Sequence, residues 1–179
     1  MTNDAKLRKR KSLRSEKTAA GTSGRTTRRS GATATDPGDV SFPCSLVEDK
    51  YRSSFSFNIG PKLWDNHARK AKQKGERIPV FRVTLEDNVP VAVLLLEDWE
   101  ELGGWSTDPI WRQETRGWES NTRGFTISRV ITEQLNPDRF LSKPIKVVWV
   151  ATKDKQFIVV SYDYFLEVQR SYIEKNYGE

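Results

Sequence analysis

Two acidic residues and one lysine in the first third of the chain have the types and spacing of a metal-assisted phosphodiester site. Asp39 follows a glycine, and eight residues separate it from Glu48, which stands two residues before Lys50. Carboxylates at neighbouring strand ends can converge on one divalent cation, because hard cations prefer several oxygen ligands. Such a cation activates bound water and stabilises charge on a phosphate during transfer. The alternative is an ordinary hairpin with surface charges, since Glu-x-Lys is a common pattern.

A predicted strand at 44–52 determines which of these side chains can act together. A strand turns successive side chains to opposite faces, so Glu48 and Lys50 share one face. The lysine ammonium can therefore reach a phosphate bound to a cation that the glutamate holds. The intervening Asp49 faces the other way and needs either a partner or solvent there. A shorter strand at 40–42, which ends at a proline, precedes this strand in a hairpin-like pair.

The rest of the pattern predicts alternating strands and helices, which is typical of an α/β fold. A helix is expected from Pro61 to Lys74, followed by Gly75, because proline suits a first helical turn and glycine a helix end. The other predicted elements are strands at 78–85, 91–96, 145–152 and 156–161 and helices at 97–102, 126–135 and 162–176. Ser161 is the expected cap of the last helix.

The order of these elements predicts four parts. They are a basic flexible arm at 1–15, a core at 16–102, an irregular connection rich in tryptophan and glycine at 103–124, and a C-terminal α+β extension of strand, strand and helix at 125–179. A weak repeat is visible, because Pro79-Val80 recurs 65 residues later as Pro144-Ile145, each pair leading into two strands and a helix. The extension is either a degenerate repeat or convergent patterning. No Glu-x-Lys recurs upstream of the second copy, so it should lack an active site.

The net charge of +6 is unevenly distributed along the 179 residues. Residues 1–31 hold ten bases and two acids, a net charge of +8, whereas the remainder holds 20 bases and 22 acids, a net charge of −2. A basic segment on a nearly neutral remainder predicts a polyanionic partner, and salt-dependent attraction to phosphate makes DNA the expected one. The alternative is a solubilising tail, or a segment that only a partner orders.

Composition excludes several kinds of site. One cysteine, Cys44, leaves no internal disulfide framework or multi-cysteine zinc site, and one histidine, His67, leaves no histidine-cluster metal centre. We expect His67 to be packed or hydrogen-bonded and not to be a ligand. The longest apolar run, 91–96, is far too short to cross a membrane, and no secretory signal is recognised. The expected location is the cytoplasm, or the host cytoplasm if the chain is phage-encoded.

Several short motifs occur in the order and spacing of a known nuclease superfamily. They are Glu16, Arg29-Ser30-Gly31-Ala32, Gly38-Asp39-Val40, Glu48-Asp49-Lys50, the basic helix at 61–75, the Pro-Val-led strand pair at 79–96 and Leu96-Glu97-Asp98-Trp99. Over roughly residues 6–102 the chain resembles the PD-(D/E)XK nucleases, in particular archaeal-type Holliday junction resolvases and related phage endonucleases. The resemblance implies a restriction-endonuclease-like mixed central β-sheet flanked by helices, and Mg²⁺-dependent cleavage of DNA in which Mn²⁺ can substitute.

The resemblance also implies roles for individual residues. Asp39 and Glu48 are the implied metal ligands, and Glu16 supports the metal through water. Lys50 orients the attacking water or stabilises the phosphate. The implied contacts to the scissile strand are Arg28, Arg29 and Ser30. Further candidate DNA contacts follow from positive charge alone: Lys9, Arg10, Lys11, Arg25, Arg69 and Lys70. Arg69 and Lys70 also fit an ordinary solvated helix face.

Two positions depart from the family pattern. Asp49 is acidic where the family usually has an apolar or small residue, and His67-Ala68 stands where a Gln-Ala pair is frequent. The resulting hypothesis is a metal-dependent, structure-selective DNA endonuclease that resembles Holliday junction resolvases. Paired nicks in branched DNA require two sites in two-fold register, so a homodimer is expected, with no membrane partner.

Two alternatives stay open. The first is a non-catalytic, basic DNA-binding or architectural protein that uses the arm and the helix at 61–74 on the phosphate backbone. The second is a nuclease of the same superfamily that acts on other DNA, of the restriction, homing or repair type.

Overall fold

The computed structural model describes residues 25–26, 40–75, 77–86, 88–104, 109–114, 124–135, 147–151 and 155–178. Within these residues strands alternate with helices around a mixed sheet, so the expected α/β class is confirmed. Asp39, Glu16 and the basic arm at 1–15 lie outside the described residues.

The described elements fall into an earlier and a later set. The earlier set is β1 (Arg25–Thr26), β2 (Val40–Ser41), β3 (Ser45–Arg52), β4 (Ser56–Ile59), α1 (Pro61–Gln73), β5 (Ile78–Leu85), β6 (Val91–Leu95) and α2 (Leu96–Glu101). The later set is β7 (Pro109–Glu114), β8 (Phe125–Ser128), α3 (Arg129–Gln134), β9 (Val147–Ala151), β10 (Gln156–Ser161) and α4 (Tyr162–Tyr177).

Eight strands of the described chain form one sheet in the order β1-β2-β3-β5-β6-β10-β9-β7. β3 is parallel to β5 and β7 is parallel to β9, whereas the other neighbours are antiparallel. β4 and β8 form a separate two-stranded antiparallel ribbon. The strands expected in a C-terminal α+β extension therefore belong to the central sheet.

Each face of the sheet has its own apolar core, because successive residues of an interior strand are buried on opposite sides. On one face α2 and α4 cover a cluster that contains Trp99, Tyr162 and Phe165. On the other face α1, α3 and the ribbon cover a cluster that contains Trp64 and Phe157. The rings of Trp64 and Phe157 meet edge to face with centroids 4.7 Å apart. The second face is the one that matters for the site.

Most predicted elements are present with similar bounds. The strands predicted at 78–85 and 156–161 are confirmed with the same bounds. The helix predicted from Pro61 ends at Gln73, one residue early. The last helix begins as expected after Ser161, whose hydroxyl accepts a hydrogen bond of 3.3 Å from the amide of Tyr164. Local signals sufficed here because cap residues and apolar periodicity agree with the tertiary contacts.

The ribbon and the strand β7 were harder to infer from local pattern. The interpretation of 103–124 as an irregular connection is wrong for 109–114, which pair in parallel with β9. The helix predicted at 126–135 begins only at Arg129, because 125–128 pair with β4. In both cases the strand is short and pairs with a partner distant in sequence, so local pattern alone does not delimit it.

Asp49 has the partner that its place in β3 requires. Its side chain is 3% exposed and lies 2.8 Å from Nη1 of Arg82, its register partner on β5. The Arg82 guanidinium in turn lies over the ring of Tyr162, 5.0 Å from the centroid. Asp49 therefore faces the α4 side of the sheet, away from Glu48, as strand alternation predicts.

We expect Asp49→Asn to destabilise the fold by about 3–5 kcal/mol, because it leaves the Arg82 charge buried without its carboxylate. The double variant Asp49→Leu with Arg82→Met should recover most of this loss, since it removes both charges. Urea unfolding followed by circular dichroism measures the difference. The matched control is Glu133→Gln, which breaks the exposed 2.6 Å pair with Arg129 and should cost less than about 1 kcal/mol. Equal losses in the control and in Asp49→Asn would contradict the expectation.

Candidate active site

Glu48 and Lys50 lie on the face of the sheet that α1 covers. Their strand, β3, lies between two others in the sheet: β2 pairs with Leu46 and Val47, and β5 pairs with the whole length of β3. The Glu48 side chain is 11% exposed and that of Lys50 is 20% exposed. The Lys50 ammonium donates to Oε1 of Glu48. The predicted common face of these two residues is confirmed, and a rigid strand holds them there.

The helix α1 brings further basic side chains to the same place. Pro61 occupies its first turn, where no intrahelical hydrogen bond is lost. The helix ends before Gly75, whose φ of +101° is a conformation that favours glycine. A buried stripe at helical spacing seats the helix on the sheet and consists of Pro61, Trp64, His67 and Ala71. This seating brings His67 and Lys70 close to Glu48.

Three basic side chains surround the Glu48 carboxylate. Besides the Lys50 ammonium at Oε1, Nδ1 of His67 lies 3.1 Å from Oε2 and Nζ of Lys70 lies 3.9 Å from it. The His67 nitrogen is close to the carboxylate but out of line for a hydrogen bond. Glu48 with Lys50, His67 and Lys70 is called the Glu48 cluster below.

The Glu48 cluster keeps its carboxylate ionised despite burial. Burial opposes ionisation and would alone raise the pKa of Glu48, but the contacts with His67 and Lys50 outweigh it and lower that pKa from 4.5 to about 2. A carboxylate must be deprotonated to bind a metal ion. Glu48 meets that condition throughout the physiological pH range.

His67 fixes α1 to two strands at once. Its side chain is fully buried, and Nε2 lies 3.0 Å from the carbonyl oxygens of both Leu46 and Val80. Both of these atoms only accept, so Nε2 carries a hydrogen and donates. The ring also packs against Phe81 with centroids 4.6 Å apart. With the ring held in this way, Nδ1 is directed at Glu48, and His67 acts as a positioning residue.

The described part of the site supplies one carboxylate, that of Glu48, toward a divalent cation. Val40, the residue after Asp39 in the sequence, pairs with Val47, the residue before Glu48. Asp39 and the supporting Glu16 lie outside the described residues. Within the described ranges no three His, Cys, Asp or Glu side chains are grouped as a metal centre. The described residues therefore contribute one nearly buried carboxylate, on the strand next to the one that Asp39 precedes, and a metal site would need further oxygen ligands.

The predicted DNA contacts are only partly described. Lys9, Arg10, Lys11, Arg28, Arg29 and Ser30 lie outside the described residues. Arg25 is described through its backbone in β1, where it pairs with Ser41. Arg69 is exposed on α1 and donates to Oδ1 of Asn66 at 3.0 Å. The Lys70 side chain is 33% exposed beside Glu48. Of the predicted contacts, Lys70 alone is seen next to the site in the described chain.

Sequence reasoning missed the contact between His67 and Glu48. The expectation of a packed, hydrogen-bonded histidine is confirmed. Its place beside the carboxylate was not foreseen, although one signal existed: His67 stands where the resembled family often has glutamine, another side chain that can donate to a carbonyl. Lys70, three residues later on the same helix, was predicted as a DNA contact and not as a neighbour of Glu48.

A cleft elsewhere in the described chain is separate from this site. Lys72, Arg77 and Asp98 contribute to its lining, whereas Glu48 and Lys50 do not. Burial, together with the nearby acidic side chains on α2, raises the pKa of Asp98 from 3.8 to about 6. No residue of the Glu48 cluster lines this cleft.

Comparison of the chain with protein-family models, with curated proteins and with solved structures found no match. Among the described helices, none is long and apolar enough to cross a membrane.

Glu48 should make the stability of the fold depend on pH in acid. Its pKa is lower in the folded than in the unfolded chain, so its stabilisation is complete above pH 4.5 and is lost as the pH falls toward about 2. The wild type should lose on the order of 3 kcal/mol over this interval, which Glu48→Gln should not lose. Urea unfolding at several pH values in this range measures both proteins. Parallel pH profiles would contradict the ionised, buried state of Glu48.

His67→Ala should destabilise the protein by about 2–4 kcal/mol, because it leaves a cavity and deprives two buried carbonyls of their donor. His67→Gln should lose less, since an amide can still donate to one of them. Urea unfolding compares both with Asn66→Ala, a change at the neighbouring, less buried position of α1. An alanine variant as stable as the wild type would show that His67 does not clamp the helix.

Proposed function

We propose that this chain is a metal-dependent endonuclease that hydrolyses phosphodiesters of DNA. The observation that carries the proposal is the Glu48 cluster: an ionised carboxylate and a lysine share one face of an interior strand, nearly buried beneath a basic helix. Electrostatic interactions strengthen away from water, so a cation held there polarises a phosphate more strongly than a surface site would.

The residues divide the work between holding a cation and stabilising charge. Glu48 is one proposed ligand, Asp39 the other, and Glu16 the support through water. When bound, a cation, Mg²⁺ with Mn²⁺ as a substitute, would supply an activated water and would neutralise phosphate charge. Lys50, already beside the carboxylate, can turn its ammonium to the non-bridging phosphate oxygens as negative charge develops on them. Lys70 is partly exposed and can contact an adjacent phosphate.

DNA is the proposed substrate because two groups of positive charge stand close to the site residues, one of them along the sequence and the other on α1. The first 31 residues carry a net charge of +8 and precede Asp39 by only a few residues. On α1, Arg69 and Lys70 follow each other one turn from the end of the helix. Phosphate contacts of this kind position a nucleic acid without reading its sequence. We therefore propose that the protein selects DNA by its structure and not by its sequence.

The finer parts of the proposal rest on the resemblance to the Holliday junction resolvases. They are branched DNA as the preferred substrate and a cytoplasmic location, in the host if the chain is phage-encoded. The resemblance also implies a two-fold homodimer, whereas the repeat within this chain favours a monomer, as argued below. Substrates of the restriction, homing or repair type would use the same residues.

A non-catalytic DNA-binding protein is the second candidate, and one observation favours it. Lys50 and Lys70 already balance the Glu48 charge, as they would in a purely structural ion network. In that case the cluster would hold α1 on the sheet and present its basic residues to the phosphate backbone.

Glu48→Gln separates the two candidates, because it keeps the shape of the side chain and removes its charge. We expect cleavage of a labelled four-way junction with Mg²⁺ or Mn²⁺ to fall at least about a hundredfold. Binding measured by gel shift in Ca²⁺ should be unchanged or tighter, since a repulsive carboxylate is lost. Asp39→Asn should behave in the same way.

Glu133→Gln is the control for this experiment, since it is the same substitution at an ion pair on α3 and should leave cleavage unchanged. Wild-type protein that binds but cuts neither branched nor linear DNA would exclude the nuclease and favour the second candidate. Binding that does not weaken as salt rises would exclude both, because phosphate contacts release counterions.

A further inference from the structure

Two parts of the described chain have the same order of elements. The first unit is β3-β4-α1-β5-β6-α2, and the second unit is β7-β8-α3-β9-β10-α4. Each consists of a strand, a short strand, a helix, two strands and a helix. In each, the first long strand is parallel to the second, and the second is antiparallel to the third.

The units meet through equivalent strands with a reciprocal register. β6 and β10 pair antiparallel around the central pair Val93 and Val159, which are 66 residues apart. The flanking pairs are Leu95 with Phe157 and Val91 with Ser161. Adding 66 to 91 gives 157, and adding 66 to 95 gives 161, so each flanking pair is the symmetry mate of the other. Every antiparallel ladder is reciprocal about its central pair, so the informative observation is the offset: the 66 residues between Val93 and Val159 also separate the starts of α2 and α4.

The short strands show the same reciprocity independently. In the ribbon, Phe57 pairs with Ile127 and Ile59 pairs with Phe125. Adding 68 to 57 gives 125, and adding 68 to 59 gives 127. The helices that follow, α1 and α3, begin at 61 and 129, which are also 68 apart. Each of the two contacts between the units is therefore centred on a pair of equivalent residues, Val93 with Val159 and Asn58 with Thr126, as a two-fold relation between the units requires.

Core positions follow the same relation. α2 and α4 begin at Leu96 and Tyr162, again 66 residues apart. Trp99 and Phe165, also 66 residues apart, are each fully buried in the core on that face of the sheet. The units share apolar character at these positions and little residue identity.

The second unit lacks the residues of the Glu48 cluster. In the first unit, Val93 on β6 pairs with Phe81 on β5, and Phe81 pairs on its other side with Glu48 on β3. In the second unit, Val159 on β10 pairs with Val148 on β9, and Val148 pairs on its other side with Trp111 on β7. Tryptophan therefore occupies the register position of the glutamate, next to an irregularity in the ladder between Pro109 and Trp111.

The other positions of the cluster are replaced as well. Two residues further along each strand, Gln113 stands at the register position of Lys50. The seventh residue from the start of α1 is His67, and the seventh from the start of α3 is Leu135, which is 5% exposed in the apolar core. A tryptophan, a glutamine and a leucine cannot hold a hard cation as carboxylates do.

We propose that the second unit takes the place of a partner subunit, so that the chain works as a monomer with a single site and cuts one strand per binding event. The cutting rests on the proposed function, whereas the replacement of a partner rests on topology alone. In a lone first unit β6 would be an open sheet edge available for pairing with another copy, and β10 covers it here. Each event adds one water across one P–O bond: the water oxygen bonds to phosphorus, and the leaving oxygen takes a proton.

A supercoiled plasmid that extrudes a four-way junction tests the number of cuts. A single-site monomer produces the nicked circle first, and linear product appears only as independent nicks accumulate. The rate should rise in proportion to protein concentration, and light scattering should give one 20.6 kDa chain per particle. Linear product without a nicked precursor, or a stable two-chain particle, would overturn the proposal.

Mixing the wild type with a tenfold excess of Glu48→Gln, with DNA in excess over both, gives a second test. A monomer keeps its rate to within about twofold, whereas an exchanging obligate dimer loses about tenfold as inactive chains pair with active ones. The control is the same excess of Asp39→Asn, which should give the same result.

Failure of this inference can be told apart from failure of the proposed function. A monomer that never cuts DNA removes the proposed nuclease and leaves the replacement of a partner supported by its single-chain state. A cutting protein that is a stable dimer, or that the inactive variant poisons, keeps the nuclease and removes the single-site monomer.

Discussion

Pairing between β6 and β10 is the interaction on which the rest of the described structure depends. It joins the strands of two similar units into one sheet, and the residues of both strands alternate between the two cores. Val93 and Val159 face one core, whereas Ala92 and Ile158 belong to the other. Neither apolar core is therefore complete without this contact, because each core contains apolar residues from both strands.

A second constraint comes from charges on both faces of β3. Asp49 forms an ion pair with Arg82. This pair is almost completely buried on the side of the sheet that α4 covers. Glu48 instead lies among two lysine ammonium groups and the ring of His67, and the Lys70 side chain is a third exposed. A buried pair with one partner resists change, whereas a carboxylate with several partners can exchange one of them for another cation. The two adjacent acids thus differ in their surroundings: Asp49 has a structural partner on one face, and Glu48 on the other face is the residue to which we assign a proposed chemical role.

Local sequence signals were sufficient for much of the first unit and for the C-terminal hairpin and helix. The common face of Glu48 and Lys50 follows from strand period alone, and Pro61 and Gly75 bracket α1. By contrast, β4, β7 and β8 are short strands whose partners lie far away in sequence, so local pattern could not reveal them. The position of His67 against two carbonyls needed the packing of α1 on β3 and β5, which no periodicity encodes. The faint repeat at Pro79 and Pro144 was visible, but its two-fold arrangement appears only in the strand registers.

Covalent linkage of the two units changes how their contact responds to dilution. An interface between separate subunits weakens as protein concentration falls, because dissociation gains translational freedom. Within one chain the second unit stays at a high effective concentration beside the first, whatever the number of molecules in the surroundings. The sheet that runs through β6 and β10 is therefore as complete in a single copy of the protein as in a concentrated solution.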